Sequence, residues 1–94
     1  MADSATPLLA DELEDNQLEI AIGAQVRSYR RRLGMTLQDV GHVTGVSSAM
    51  LSKVENGQTS PSLGTLKSLA KAFDVPINVL FKGFEERRDA SFVP

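Results

Sequence analysis

The sequence has no Cys, so neither a disulfide framework nor a thiolate metal site can be built from it. Its only histidine, His42, rules out a multi-histidine metal centre within one chain, and no cofactor or metal is expected. No apolar run approaches the roughly 20 residues that span a bilayer. The opening MADSATPLLADELEDNQ carries acids where a secretory signal has a basic end, so the expected location is cytoplasmic. Strand-period alternation and internal repeats are also missing, which leaves helices as the building material. What is present is 94 residues, 41% of them hydrophobic, enough for one small core and too short for two.

A formal net charge of −2 argues, taken alone, against a polyanionic partner. The distribution of the charge points the other way. Residues 1–19 hold six acids and no Lys or Arg, whereas residues 20–83 carry eight Lys or Arg against Asp39, Glu55 and Asp74, a net +5. The part expected to fold is therefore basic. Residues 1–17, acidic and without a sustained apolar period, are expected to be a disordered arm. Residues 18–83 are expected to form the domain, and 84–94 a linker.

Within 18–83 the apolar spacing is helical. Leu18, Ile22, Val26, Tyr29 and Leu33 form one stripe of a first helix ending at Gly34, with Arg27, Arg30, Arg31 and Arg32 on its last turns, where cations suit the helix dipole. Thr36 and Asp39 have the spacing of a capping box and open a second helix with Leu37, Val40 and Val43 inward. Ser47 can cap a third, with Leu51 and Val54 inward and Gly57 closing it in the left-handed region. Ser62 opens a fourth, with Leu63, Leu66, Leu69, Ala70 and Phe73 as its apolar face. Pro76 begins a fifth, where Ile77, Leu80 and Phe81 complete the core. The second and third helices flank a short turn around Gly45, the spacing of a helix-turn-helix.

The stretch GVSSAMLSKVENG is unusual for a solvated helix face, because Ser47, Ser48, Ala49 and Ser52 are short and Lys53 is the one full positive charge among them. Around it, R-x-x-G-M-T-L (Arg31 to Leu37), T-G-V-S (Thr44 to Ser47), L-S-K-V-E-N-G (Leu51 to Gly57) and S-P-S-L-x-T-L (Ser60 to Leu66) follow in order. With these motifs, residues 22–81 resemble the Cro/lambda-repressor family, also called XRE, over its full five-helix length.

The resemblance implies an all-α, five-helix, lambda-repressor-like domain that regulates transcription by binding double-stranded DNA. Its third helix, about 47–56, would lie in the major groove of a palindromic operator bound by a homodimer. Ser47, Ser48, Ala49, Ser52 and Lys53 would then face the groove: hydroxyls donate or accept, Ala49 meets a thymine methyl, and Lys53 reaches guanine. Thr36 and Gln38 would meet phosphates of one strand, and Asn56, Thr59 and Ser60 those of the other. Arg30 would pair with Glu55. Gly41 departs from the Ala common in the family, at about 1 kcal/mol of helix propensity. The ending F-E-x-x-R-D-A-S-F-V, with Phe84, Phe92 and Val93 uncovered, resembles regulators that continue into a cupin sensor for a small-molecule effector.

Blander readings remain beside these. Met50 reads better as packing than as recognition, and Arg31 and Arg32 read equally well as solvated cations. His42, Asp39 and a serine could suggest hydrolysis, but no oxyanion hole accompanies them and no enzyme is expected. An antitoxin-like interaction module and a free-standing phage-type repressor are the rival functions.

Overall fold

Capping residues and left-handed closures divide the chain into short helices. The computed structural model describes the backbone of residues 2–84 and the side chains of residues 16–84. It contains α1 (Ala2–Arg32), α2 (Leu37–Thr44), α3 (Ser48–Glu55), α4 (Leu63–Phe73) and a 3₁₀ helix (Ile77–Phe81), with no strand among the described residues. The ends of α1, α3 and α4 share one closure. A residue in the left-handed region (Gly34, Gly57 or Asp74) donates to the carbonyl three back, and its successor to the carbonyl five back. The fifth helix is 3₁₀ rather than α, and only five residues long.

Ile22, Val26, Val40, Leu51, Val54, Leu66, Leu69, Ala70, Phe73 and Leu80 form the core, so all five elements contribute to one interior. Tyr29 extends it at one edge, its ring stacked on Phe73 at 6.1 Å and approached by the Arg32 guanidinium at 4.9 Å.

Three residues expected inward are exposed: Leu33, Val43 and Leu63, at 51%, 61% and 62%. Leu33 lies in the closing turn after α1, and Leu63 is the first residue of α4. On α2 the inward side runs through Leu37, Val40, Gly41 and Thr44, which turns Val43 to solvent.

The structure also departs from expectation over residues 2–17, which form the first half of α1 instead of a disordered arm. Ala2, Ala5, Leu8, Leu9, Ala10, Glu12, Leu13 and Glu14 are strong helix formers. Acids suit the positive end of the helix dipole. The packed second half also supplies the nucleus that an isolated helix must form unaided. Residues 85–94, including Phe92 and Val93, lie outside the described residues; Phe84 is half-buried, not uncovered.

Gly23 and Gly41 are close-approach positions inside helices. A Cβ on Gly23 would overlap the Val54 carbonyl oxygen and lie 2.6 Å from that of Glu55, so α1 and the end of α3 touch backbone to backbone. A Cβ on Gly41 would lie 2.6 Å from the Val46 carbonyl oxygen, so the propensity lost there permits the tight α2–α3 turn. Gly23→Ala should destabilise the fold by about 1–3 kcal/mol through overpacking against rigid backbone, although helix propensity alone would stabilise it by about 1 kcal/mol. Urea unfolding of the variant measures the sign.

Candidate nucleic-acid interface

The helix pair begins with a reciprocal cap. Thr36 Oγ1 accepts from the Asp39 amide at 3.0 Å, and the Asp39 carboxylate accepts from the Thr36 amide at 2.8 Å. The hydrogen bonds with Thr36, the backbone one first, hold the Asp39 carboxyl below the usual aspartate range, and nearby His42 adds to this. Thr36 and the neighbouring Gln38 are both exposed. At the other end α2 stops at Gly45, whose φ of 79° is the left-handed cap. Thr44 Oγ1 donates to the Val40 carbonyl and accepts from the Val46 amide, which ties the turn down.

Ser47 then caps α3, its Oγ accepting from the Met50 amide at 3.1 Å. Leu51 and Val54 bury one side of this helix completely. On the other side Ser47, Ala49, Met50 and Lys53 are exposed, and Ser48 and Ser52 are half-buried. The outer surface is thus slim at the start and cationic one turn later. Met50, read as packing, is 42% exposed on this same surface.

The far end of α3 is held by charge. Glu55 is buried, with 3% of its side chain exposed, at the negative end of a helix where an acid is disfavoured. Two arginines of α1 compensate. Arg30 donates through Nε to Oε2 at 2.6 Å and through Nη2 to Oε1 at 3.1 Å, and its Nη1 reaches the Met35 carbonyl at 3.0 Å. The Glu55 hydrogen bond raises the Arg30 pKa above its already high ordinary value, against the opposing effect of burial. Arg27 adds Nε to Oε1 at 3.3 Å and Nη2 to Asn56 Oδ1 at 2.7 Å.

Asn56, exposed at the α3 C-cap, also approaches Ser52 Oγ through Nδ2 at 3.5 Å. The structure therefore joins Arg30 to Glu55, and Ser52 to Asn56, whereas Thr36 and Gln38 sit apart at the start of α2. Thr59 is half-buried in the loop after α3. Ser60 is exposed, but its hydroxyl donates to the Glu19 carboxylate at 3.1 Å, so an acid of α1 borders that edge.

Arg27, Gly23 and Glu19 are not among the expected site residues. Their signal is positional: Glu19, Gly23, Arg27 and Arg30 recur at four, four and three, one continuous stripe of α1 beside the apolar one. This stripe meets the end of α3 and the loop after it. Next to it an open groove is lined by Ala24, Arg27, Ser28, Arg31 and Arg32 of the same helix.

Two short helices around a glycine-capped turn, the second presenting a slim polar edge and anchored at its far end, define a helix-turn-helix protein. The helix-turn-helix family HTH_3 matches residues 26–80, over half of the chain, and the chain belongs to this family. The HTH-type transcriptional regulator DdrOP3 of Deinococcus deserti is 36% identical over 61 residues, 65% of this chain and 47% of that protein. An HTH_3 family transcriptional regulator from Vibrio cholerae has a similar structure, with a TM-score of 0.68 and 30% identity over 73% of this chain and 39% of its own. The restriction-modification controller protein C.AhdI of Aeromonas hydrophila superimposes with a TM-score of 0.65 and 27% identity, over 67% of this chain and 96% of its own. The chain spans about half the length of the curated relatives it matches. No helix among the described residues is long and apolar enough to cross a membrane.

Arg30→Met should cost about 2–4 kcal/mol of stability, since it leaves a buried carboxylate with Arg27 alone, and the loss is read from denaturant unfolding. The Asp39 cap gives a pH signature. Its folded pKa lies below the unfolded value of about 3.9, so its contribution is complete above that value and disappears as pH falls through the lower folded one. The melting-temperature difference between the wild type and Asp39→Ala should persist from about pH 7 to pH 5 and shrink below about pH 4.

Proposed function

We propose that the chain is the DNA-reading part of a sequence-specific transcriptional regulator, with α3 lying in the major groove of double-stranded DNA. The observation that carries this reading is the outer surface of α3. Ser47 and Ala49 stand exposed at its start and Lys53 one turn on, while the opposite side is packed and its end is tied to α1 through Glu55. A slim leading edge lets the backbone come close to phosphates and base edges. Ser47, Ser48 and Ser52 supply hydroxyls, Ala49 a contact for a thymine methyl, and Lys53 a long donor for guanine O6 or N7. One long donor is a small code, so sequence-dependent DNA shape shares in the selection.

Thr36 and Gln38 at the start of α2 hold one phosphate strand, and Asn56, Thr59 and Ser60 hold the other, the Ser60 hydroxyl turning from Glu19 to the phosphate. The net +5 of residues 20–83 supplies the long-range attraction. The regulator acts as a homodimer on a palindrome whose half-site centres are about 34 Å apart. A sensor domain, cupin-like by the resemblance of residues 84–94, follows in the complete regulator and receives a small-molecule effector. In support, the matched segment covers only 47% and 40% of two of the matched regulators, which therefore carry further sequence outside it.

Selection from random duplexes at about physiological salt should yield one preferred, two-fold symmetric site; equal binding to all duplexes would refute the reading. On that site Lys53→Ala should lose about 1–3 kcal/mol of discrimination at a single base pair. Gln38→Ala should weaken every sequence alike. The opposite pattern in a binding titration would overturn these roles.

A further inference from the structure

The contact between Arg27 and Asn56 determines more than the position of Asn56. A guanidinium has only donors, so the atom it meets at 2.7 Å must be the amide oxygen of Asn56, and the amide nitrogen is thereby turned toward Ser52. At 3.5 Å from Ser52 Oγ, that N–H group occupies an acceptor side of the hydroxyl. Among the described residues the Ser52 hydroxyl donates to no protein acceptor, including the carbonyl one turn back that a helical serine often uses. Its hydrogen is therefore left for what lies outside α3. A free serine offers both a donor and an acceptor; one that already accepts from Asn56 is biased to donate.

We propose that Arg27 is a positioning residue for base selection: acting through Asn56, it makes the Ser52 hydroxyl a donor toward the groove. Ser52 then selects a base edge that presents an acceptor, a purine N7, guanine O6 or thymine O4, over the amino groups of cytosine and adenine. This rests on the groove-facing reading of α3. The long Asn56–Ser52 contact biases the hydroxyl without locking it, so the effect is a few-fold one. The same fork of Arg27 reaches Glu55 through Nε, which keeps the guanidinium in register with Asn56.

The test measures the affinity of the full chain for its selected duplex and for single base-pair variants, using wild type, Ser52→Ala, Arg27→Gln and the double substitution. Ser52→Ala should flatten the preference at one base pair by about 3- to 10-fold. Arg27→Gln should flatten it at that same base pair and add nothing further in the Ser52→Ala background. Arg27→Lys, which can reach Asn56 but cannot fork to Glu55 as well, should retain part of the preference. Loss of mere structural support would lower affinity for all duplexes equally, and that outcome overturns the proposal, as does an Arg27→Gln effect undiminished in the Ser52→Ala background. If Arg27→Gln does not fold, Arg27→Lys and Asn56→Ala complete the same cycle. A wild type that selects no sequence refutes the groove placement and the proposal together. A selective wild type whose preferences Ser52→Ala leaves intact refutes the proposal alone.

Discussion

A buried carboxylate at the wrong end of a helix sets the geometry of this domain. Glu55 closes α3, where the helix dipole is negative and an acid is disfavoured. An eight-residue helix has little stability of its own, so α3 depends on tertiary contacts for both existence and direction. The arginine pair on α1 satisfies Glu55 from the side, and it does so only when the end of α3 lies directly over Arg27 and Arg30. The ion pair thus specifies an angle as much as it supplies energy.

The backbone supports the same arrangement. The last-turn carbonyls of Val54 and Glu55 rest on Gly23, one turn before Arg27 on the same stripe of α1. A side chain at Gly23 would lift α3 away from the guanidiniums, so the glycine contact and the charge contact hold together. At the opposite end Gly41 admits the turn, and Ser47 caps the first amides. The outer surface of α3 is therefore presented by contacts at both ends and by Leu51 and Val54 beneath.

Much of this is legible in the sequence because it is local. The Thr36–Asp39 box, the Ser47 and Ser62 caps, the closures at Gly34 and Gly57 and the inward Leu51 and Val54 depend on spacings within one or two turns. Leu33 and Leu63 defeat the same reasoning because periodicity gives a face but not where the neighbouring helix ends, and Val43 does because an eight-residue helix leaves the direction of its face ambiguous. The first half of α1 defeats it because composition measures the capacity for burial, whereas helix propensity and an existing nucleus act without it. Arg27 is readable as a cation but not as a partner of Asn56, since that contact spans 29 positions and depends on the docking of α3. The base-reading roles of individual residues are not local in this sense; they depend on a partner molecule as well as on the fold.

On the proposed function these parts serve one end: the domain holds the outer edge of α3 toward DNA. Amide chemical shifts followed during addition of the selected duplex test this most directly. The largest changes should fall on Ser47, Ser48, Ala49, Ser52 and Lys53, with smaller ones at Thr36, Gln38 and Asn56, and a scrambled duplex should reproduce only the smaller set. Changes concentrated on α4 and the 3₁₀ helix, with the start of α3 unperturbed, would contradict it.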